Sequence, residues 1–284
     1  MTQALGSPPI VDTHTHLDDP AFDADRDSVF DAARAAGVRY FLNIGYAPER
    51  WESSRALRER HPDVRFAFGL HPQLADQYCS SLRQDLKRAI EHLNPVAIGE
   101  TGFDFSRAAP IFAQQARAFR GQLEIAAEYR LPTIIHQRDA SDALITELDR
   151  WPGLAPIVLH SFDGTQRLAD WARERGCFVG IGGLATRRTS ESLRGILTRM
   201  TTDRLLLETD SPYLAPPRPT NRRNDPTNLP RIAAILGPLW NLSGEELCWL
   251  TSVNAVGLFG LPTVDRSSTS AAFGRHGEPP TPRC

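Results

Sequence analysis

The chain has 284 residues, of which 41% are hydrophobic and 23% charged, so it carries enough apolar material for one large core and is not disordered throughout. A formal net charge of -2 excludes a globally basic surface, and any nucleic-acid binding must rest on local patches.

The opening residues MTQALGSPPI lack the basic start and the apolar stretch of about 7 to 15 residues that mark a secretory signal. No uninterrupted apolar span is long enough to cross a membrane, so the expected location is the cytoplasm. From residue 10 onward, short runs rich in Val, Ile, Leu and Phe recur at 10–16, 40–45, 65–71, 96–103, 132–136, 156–160, 177–182 and 204–210. Amphipathic segments separate them. In 112–129, for example, Phe112, Ala116, Phe119, Leu123, Ala126 and Ala127 keep the 3.6-residue period of a helix with one buried face.

Strand followed by helix, eight times, predicts parallel strands joined by right-handed crossovers and closed into a (β/α)8 TIM barrel of the α/β class. An open doubly wound sheet is the alternative. Against it, no G-x-G-x-x-G or P-loop follows the first strand, and polar residues end many strands rather than gathering at one switch point. After Leu261 the chain reads PTVDRSSTSAAFGRHGEPPTPRC, too poor in aliphatic residues to offset its ordering entropy. One domain over 1–261 with a disordered tail at 262–284 is expected. The cysteines Cys79, Cys177, Cys248 and Cys284 are scattered, without zinc-finger spacing, and read as free thiols in a reducing compartment.

Five histidines end predicted strands: His14, His16, His71, His136 and His160. In a barrel that end carries the active site. Asp12, His14 and His16 are two apart, so regular pleating points all three the same way. Carboxylates occupy equivalent places, with Glu100 after the fourth run and Glu208 and Asp210 after the eighth. Acids so close to a barrel core are costly unless a cation holds them. Histidine and carboxylate without thiolate suit Zn, Mn, Co or Mg. Ligands from six places on five strands can surround two ions, the clamp used for in-line phosphoryl displacement.

The blocks DTHTHLD at 12–18, GLHP at 69–72, IGETGFDF at 98–105, LPTIIHQRDA at 131–140, LHSFDG at 159–164 and LLLETDSPYLAP at 205–216 together resemble the TatD family of metal-dependent hydrolases. The resemblance implies a first divalent metal on His14 and His16, a second on His136 and His160, and Glu100 bridging them. It implies that Asp210 binds the first metal and serves as the base for its water. His71 and Glu208 match family motifs near the site and are expected to contact substrate or support the ligands. The implied activity is that of a 3′-5′ deoxyribonuclease using two divalent ions, Mg, Mn or Zn, on DNA or another nucleic acid. The alternatives are a D-aminoacyl-tRNA deacylase or other ester or amide hydrolase, and an idle barrel that binds nucleic acid or a partner. The last is disfavoured because every ligand the resemblance implies is present.

Two departures stand out. Phe103 and Phe105 replace the Leu and Tyr of the usual G-E-x-G-L-D-Y, which is expected to alter the pocket wall without touching a ligand. The Arg223, Asn224, Asp225, Pro226 block has Asp for the usual Glu and lacks the common G-K before it. Arg187 and Arg188 follow the seventh strand, and Arg218, Arg222 and Arg223 follow the eighth; this cluster is expected to bind substrate phosphates at the catalytic face. Arg138 and Asp139 are expected to pin a loop, and Asp104 and Asp163 to cap or brace loops. His61, His92 and His276 lie away from strand ends and are expected on the surface.

Overall fold

The computed structural model describes residues 10–106, 111–217 and 223–262. The apolar runs form eight strands: β1 Ile10–Thr15, β2 Val38–Gly45, β3 Val64–Phe68, β4 Ala97–Asp104, β5 Thr133–Arg138, β6 Ile157–Leu159, β7 Phe178–Ile181 and β8 Leu205–Leu207. They neighbour one another in chain order and every pair is parallel. The β8 end returns to β1 through a parallel bridge of Thr15 with Ser211, a His16 N–H donated to Ser211 O (2.8 Å) and an Asp210 N–H donated to His14 O (2.9 Å). These contacts curl the sheet into the expected TIM barrel rather than an open sheet.

The helices are α1 Arg26–Ala35, α2 Pro48–Arg60, α3 Ser80–Leu93, α4 Phe112–Tyr129, α5 Ser141–Leu148, α6 Gln166–Glu174, α7 Glu191–Leu197, α8 Leu229–Leu236 and α9 Gly244–Phe259. Helix α4 spans the residues its periodicity predicted, although Phe112 and Ala127 are exposed and Ile125 joins the buried face. Its two buried glutamines hold strand ends. Gln122 accepts from Leu70 N (2.7 Å) and donates to Leu70 O (3.1 Å), while Gln115 brackets the backbone of Asp104 with two bonds of 3.0 Å. Those bonds fix the segments that carry His71 and Asp104.

The two ends of the barrel interior differ in chemistry. Val11, Leu42, Ala67, Ala97, Ile134, Val158 and Leu206 pack with Ala255, Phe259 and Leu261, so α9 and the residues after it stopper an apolar end. The histidines and acids fill the other. No helix among the described residues is long and apolar enough to cross a membrane.

Two strands depart from regular pleating. Asp12 lies opposite Phe41 and Thr15 opposite Asn43, three steps on β1 against two on β2. The extra residue breaks the alternation, so Asp12 shares a face with Thr15, and His14 and His16 take the other. The expectation that Asp12 points with the two histidines is therefore corrected: it is fully buried behind them, accepting from Thr209 N (2.9 Å) and Thr209 Oγ1 (2.6 Å). Strand β4 slips in the same way between Ile98 and Thr101, around Glu100. Gly99 and Gly102 flank that acid with φ of 145° and 142°, where an added Cβ would meet Ile134 Cβ at 2.8 Å or crowd the His136 backbone.

His61 is another correction, being buried at 6% exposure rather than on the surface. Its ring stacks on Phe30 at 3.8 Å, with Nε2 3.0 Å from Asp27 and Nδ1 3.1 Å from Arg34. Phe103 faces α4, packed against Phe112 and Phe119, and Phe105 packs on Phe103 and Phe112. The pocket wall expected to change at these positions is thus an aromatic seam behind the site. Cys79, Cys177 and Cys248 are free thiols. Arg218, Arg222, His276, Cys284 and, from residue 263, the expected tail lie outside the described residues.

Candidate metal centre

The strand ends that carry polar residues surround a cleft of about 630 Å³, lined by His16, His71, Glu100, His136, His160 and Asp210 together with Tyr46, Gln73, Asp104, Arg138, Asp163, Arg187 and Tyr213. His14 lies beneath its floor, fully buried. Six elements that are distant in sequence thus bring their histidines and acids to one place.

Glu100 is the hub. Its carboxylate lies 2.6 Å from His136 Nδ1, 3.0 Å from His160 Nε2, 3.5 Å from His14 Nε2 and 3.8 Å from His71 Nε2. Asp210 Oδ1 lies 3.4 Å from His16 Nε2 and 3.8 Å from His14 Nε2. Asp210 holds a left-handed backbone at φ 57°, unusual for a residue with a side chain and stabilised by the bonds that tether its neighbours to β1.

Whether these residues suit a metal can be judged from their unused valences. Both ring nitrogens of His14 are fully buried without a hydrogen bond, a costly arrangement for polar atoms unless a ligand or a strong charge compensates. Three overlapping sets, His14 with His160 and Asp210, His14 with His16 and Glu100, and His71 with Glu100 and His136, each place their donor atoms within 4.8 Å of one another. The set is imidazole and carboxylate, without sulfur, and it fits divalent cations.

Three of the histidines have a second partner that aims them. His136 Nε2 faces Asp104 Oδ2 at 3.4 Å, His160 Nδ1 faces Glu208 Oε1 at 3.3 Å, and His16 Nδ1 faces Ile44 O at 3.2 Å. Such backing sets ring orientation and basicity at metal sites. Glu208 is buried and also accepts from Ser161 N (2.5 Å). Space for it exists because residue 180 is glycine: an added Cβ would lie 2.7 Å from Glu208 Cδ. Asp104 does brace a loop, accepting from Ser106 N (2.9 Å) and Gln73 Nε2 (2.7 Å), but its place beside His136 was not legible from sequence. The one available signal was its position four residues after Glu100 on the same strand.

Charge follows this geometry. Burial opposes ionisation of Glu100, but His160, His136 and His14 outweigh it and hold the carboxyl well below the usual range. Burial likewise works against Asp210, and His16, His160 and His14 reverse it. The imidazoles divide. Despite burial, Asp104 and Glu100 lift His136 to about 9, and Glu100 and Glu208 lift His160 well above its ordinary value. Burial pushes His71 down to about 4, and burial with His160 nearby depresses His14. Glu100 and Asp210 are thus held toward their ionised form, and the His136 and His160 rings toward their protonated one.

The arginines separate. Arg187 lines the cleft, whereas Arg188 is exposed outside its lining. Arg223 donates to Asp25 Oδ2 (2.8 Å) and Ala21 O, and its guanidinium lies 4.1 Å from the Phe22 ring centroid, tying the loop after β8 to the segment before α1. Asn224 continues that tie, donating to Thr209 O (2.7 Å) and Tyr213 O (2.6 Å), and Asp225 caps the short turn Pro226–Asn228. Arg138 and Asp163 also face the cleft, with Asp163 accepting from Gln137.

A TIM barrel with buried imidazole and carboxylate donors converging on a cleft at the C-terminal strand ends has the build of a metal-dependent hydrolase. The family model described as TatD related DNase matches residues 11–260, and the chain belongs to that family. A relative from Erwinia tasmaniensis, named 3′-5′ ssDNA/RNA exonuclease TatD, is 38% identical over 257 residues, which cover 88% of this chain and 99% of the relative. A relative of the same name from Cronobacter sakazakii is 40% identical over 84% of this chain and 93% of its own length. The crystal structure of YJJV, a TatD homologue from Escherichia coli K12, matches with a TM-score of 0.83 at 30% identity, covering 89% of this chain and 98% of that one.

Proposed function

We propose that this protein is a 3′-5′ exonuclease acting on single-stranded DNA or RNA, with two divalent cations at the cleft floor, one held by His14, His16 and Asp210 and the other by His136 and His160, with Glu100 shared. The observation that carries this reading is the convergence of four histidines on the buried, ionised Glu100. The names of the relatives support the substrate class. Divalent cations in such a donor set supply positive charge for phosphate oxygens and acidify water.

The remaining steps fall to the chain itself. Asp210 presents Oδ1 to His14 and His16, leaving Oδ2 to accept the proton of the attacking water. Asp104 and Glu208 hold the His136 and His160 rings in place. Arg187 reaches into the cleft with a charge suited to phosphate, and His71, kept neutral by burial and held between Gln73 N (3.1 Å) and His136 Nδ1 (3.3 Å), forms part of the wall that substrate meets.

The test incubates metal-stripped protein with 3′- and 5′-labelled single-stranded DNA under added Mg, Mn or Zn, beside Asp210→Ala. The expected result is metal-dependent shortening from the 3′ end that disappears in the variant, with the barrel still folded. Intact DNA and, in the same assay, intact single-stranded RNA under every metal, with bound metal confirmed by elemental analysis, overturn the nuclease reading and transfer the site to an ester or amide substrate.

A further inference from the structure

We propose that Tyr213 is the platform on which the unpaired base of the terminal nucleotide stacks, so that it selects single strands; this rests on the exonuclease reading above. Among the described residues, six large apolar side chains are exposed, Ile111, Phe112, Tyr213, Ile235, Trp249 and Val253, and Tyr213 is the one that lines the metal cleft. It is 49% exposed, and its ring centroid lies 5.8 Å from that of His16. An aromatic face is therefore left to solvent beside an imidazole that reaches Asp210.

The mounting is rigid although the ring is open. Tyr213 N donates to Asp210 O (2.7 Å), and Tyr213 O accepts from Asn224 Nδ2 (2.6 Å), so both sides of the residue are fixed to the loop that carries Asp210. The hydroxyl is held only loosely, 3.5 Å from Asp19 Oδ2. The ring, not the hydroxyl, is the part offered to the cleft. Leu184 and Leu214 add apolar surface to the same lining, and Arg187 provides the charge for the adjoining phosphate.

Base stacking on an aromatic side chain tolerates any sequence, because every base has a π-face. In a duplex the terminal base is paired to its partner and stacked on its neighbour, so only an unpaired end is free to swing out and lay a face on Tyr213. The geometry therefore couples selection of a loose end to the position of its phosphate.

The experiment compares wild type, Tyr213→Ala, Tyr213→Phe and Tyr213→Leu on two single-stranded oligonucleotides, identical except that one carries abasic residues at its 3′ end. On the ordinary strand Tyr213→Ala is expected to lose roughly five- to a hundredfold in kcat/KM, mostly through KM, and Tyr213→Phe to recover that loss. On the abasic strand the gap between wild type and Tyr213→Ala is expected to close to about twofold or less. Equal losses on both strands, or no loss on either, overturn the proposal. Full recovery by Tyr213→Leu overturns stacking in favour of simple apolar contact. Binding of the same strands, followed in parallel by fluorescence anisotropy, separates the two readings. A wild-type protein that cleaves neither strand but binds the ordinary one in a Tyr213-dependent way defeats the exonuclease reading alone.

Discussion

Replacing Gly180 by Ala tests whether Glu208 is wedged into place behind His160. The new Cβ would sit 2.7 Å from Glu208 Cδ and 2.9 Å from Oε1. Carbon atoms in contact settle at about 3.5–4.0 Å, so the carboxylate must retreat by roughly 1 Å. Ser161 N now lies 2.5 Å from Glu208 Oε1, and a retreat directed away from it stretches that bond to about 3.5 Å, the limit of useful length. Losing a hydrogen bond to a charged group costs about 1.5–3 kcal/mol. At about 2–4 °C per kcal/mol for a chain near this size, the melting temperature should fall by roughly 3–12 °C. Displacing the group that orients His160 should also weaken divalent-metal binding by about 10- to 100-fold. Thermal melts of the metal-free protein and calorimetric titration with Mn read both effects. The control is Gly195→Ala on α7, where nothing lies within 4 Å of the added methyl and helix propensity should raise stability by about 0.5–1 kcal/mol. If Gly180→Ala melts and binds metal like wild type, Glu208 is not held by the space at residue 180 and the reasoning fails.

The metal-free protein should lose stability between pH 6.5 and 9. His136 titrates near 9 folded against 6.5 unfolded, so its contribution is complete below 6.5 and disappears as pH rises through 9, by up to about 3 kcal/mol. Burial raises Asp12 to about 8 despite its bonds from Thr209, which adds a loss of the same sign over this range. Urea unfolding in chelator at the two pH values checks this, and a flat or rising profile refutes it. Asp104→Asn removes the charge behind His136 and should weaken metal binding by about 10- to 100-fold with little change in the fold, read by metal titration and circular dichroism. Arg187→Ala should raise KM for oligonucleotide and reduce the salt dependence of binding by about one charge, whereas Arg223→Ala, which loses its contacts with Asp25 and Phe22, should lower stability by about 1 kcal/mol and leave KM alone. The reverse pattern in steady-state kinetics and thermal melts would exchange their roles.

What the sequence determined by itself is local and periodic. The 3.6-residue spacing in 112–129 marked out α4, the apolar runs marked the strands, and histidines and acids at the ends of those runs located one face of the barrel as the chemical face. Each of these depends on neighbours a few residues away, which the chain states directly. Other features depend on pairing between distant segments. The register slip in β1 turns Asp12 away from His14 and His16 and toward Thr209, 197 positions along the chain. No alternation rule contains that slip, because it arises from how β1 lies against β2. The same holds for Asp104 behind His136, Glu208 behind His160 in the space left by Gly180, and Arg223 drawn to Asp25 and Phe22 rather than to the cleft. His61 read as a surface residue because a helix end is exposed by default, and it was buried only when α1 brought Phe30 and Arg34 against it. Composition and period fix which faces are apolar and which residue types end each strand; the direction of each polar group is settled by packing across the closed barrel, where a buried ring or carboxylate must find its partner among segments that are near only after folding.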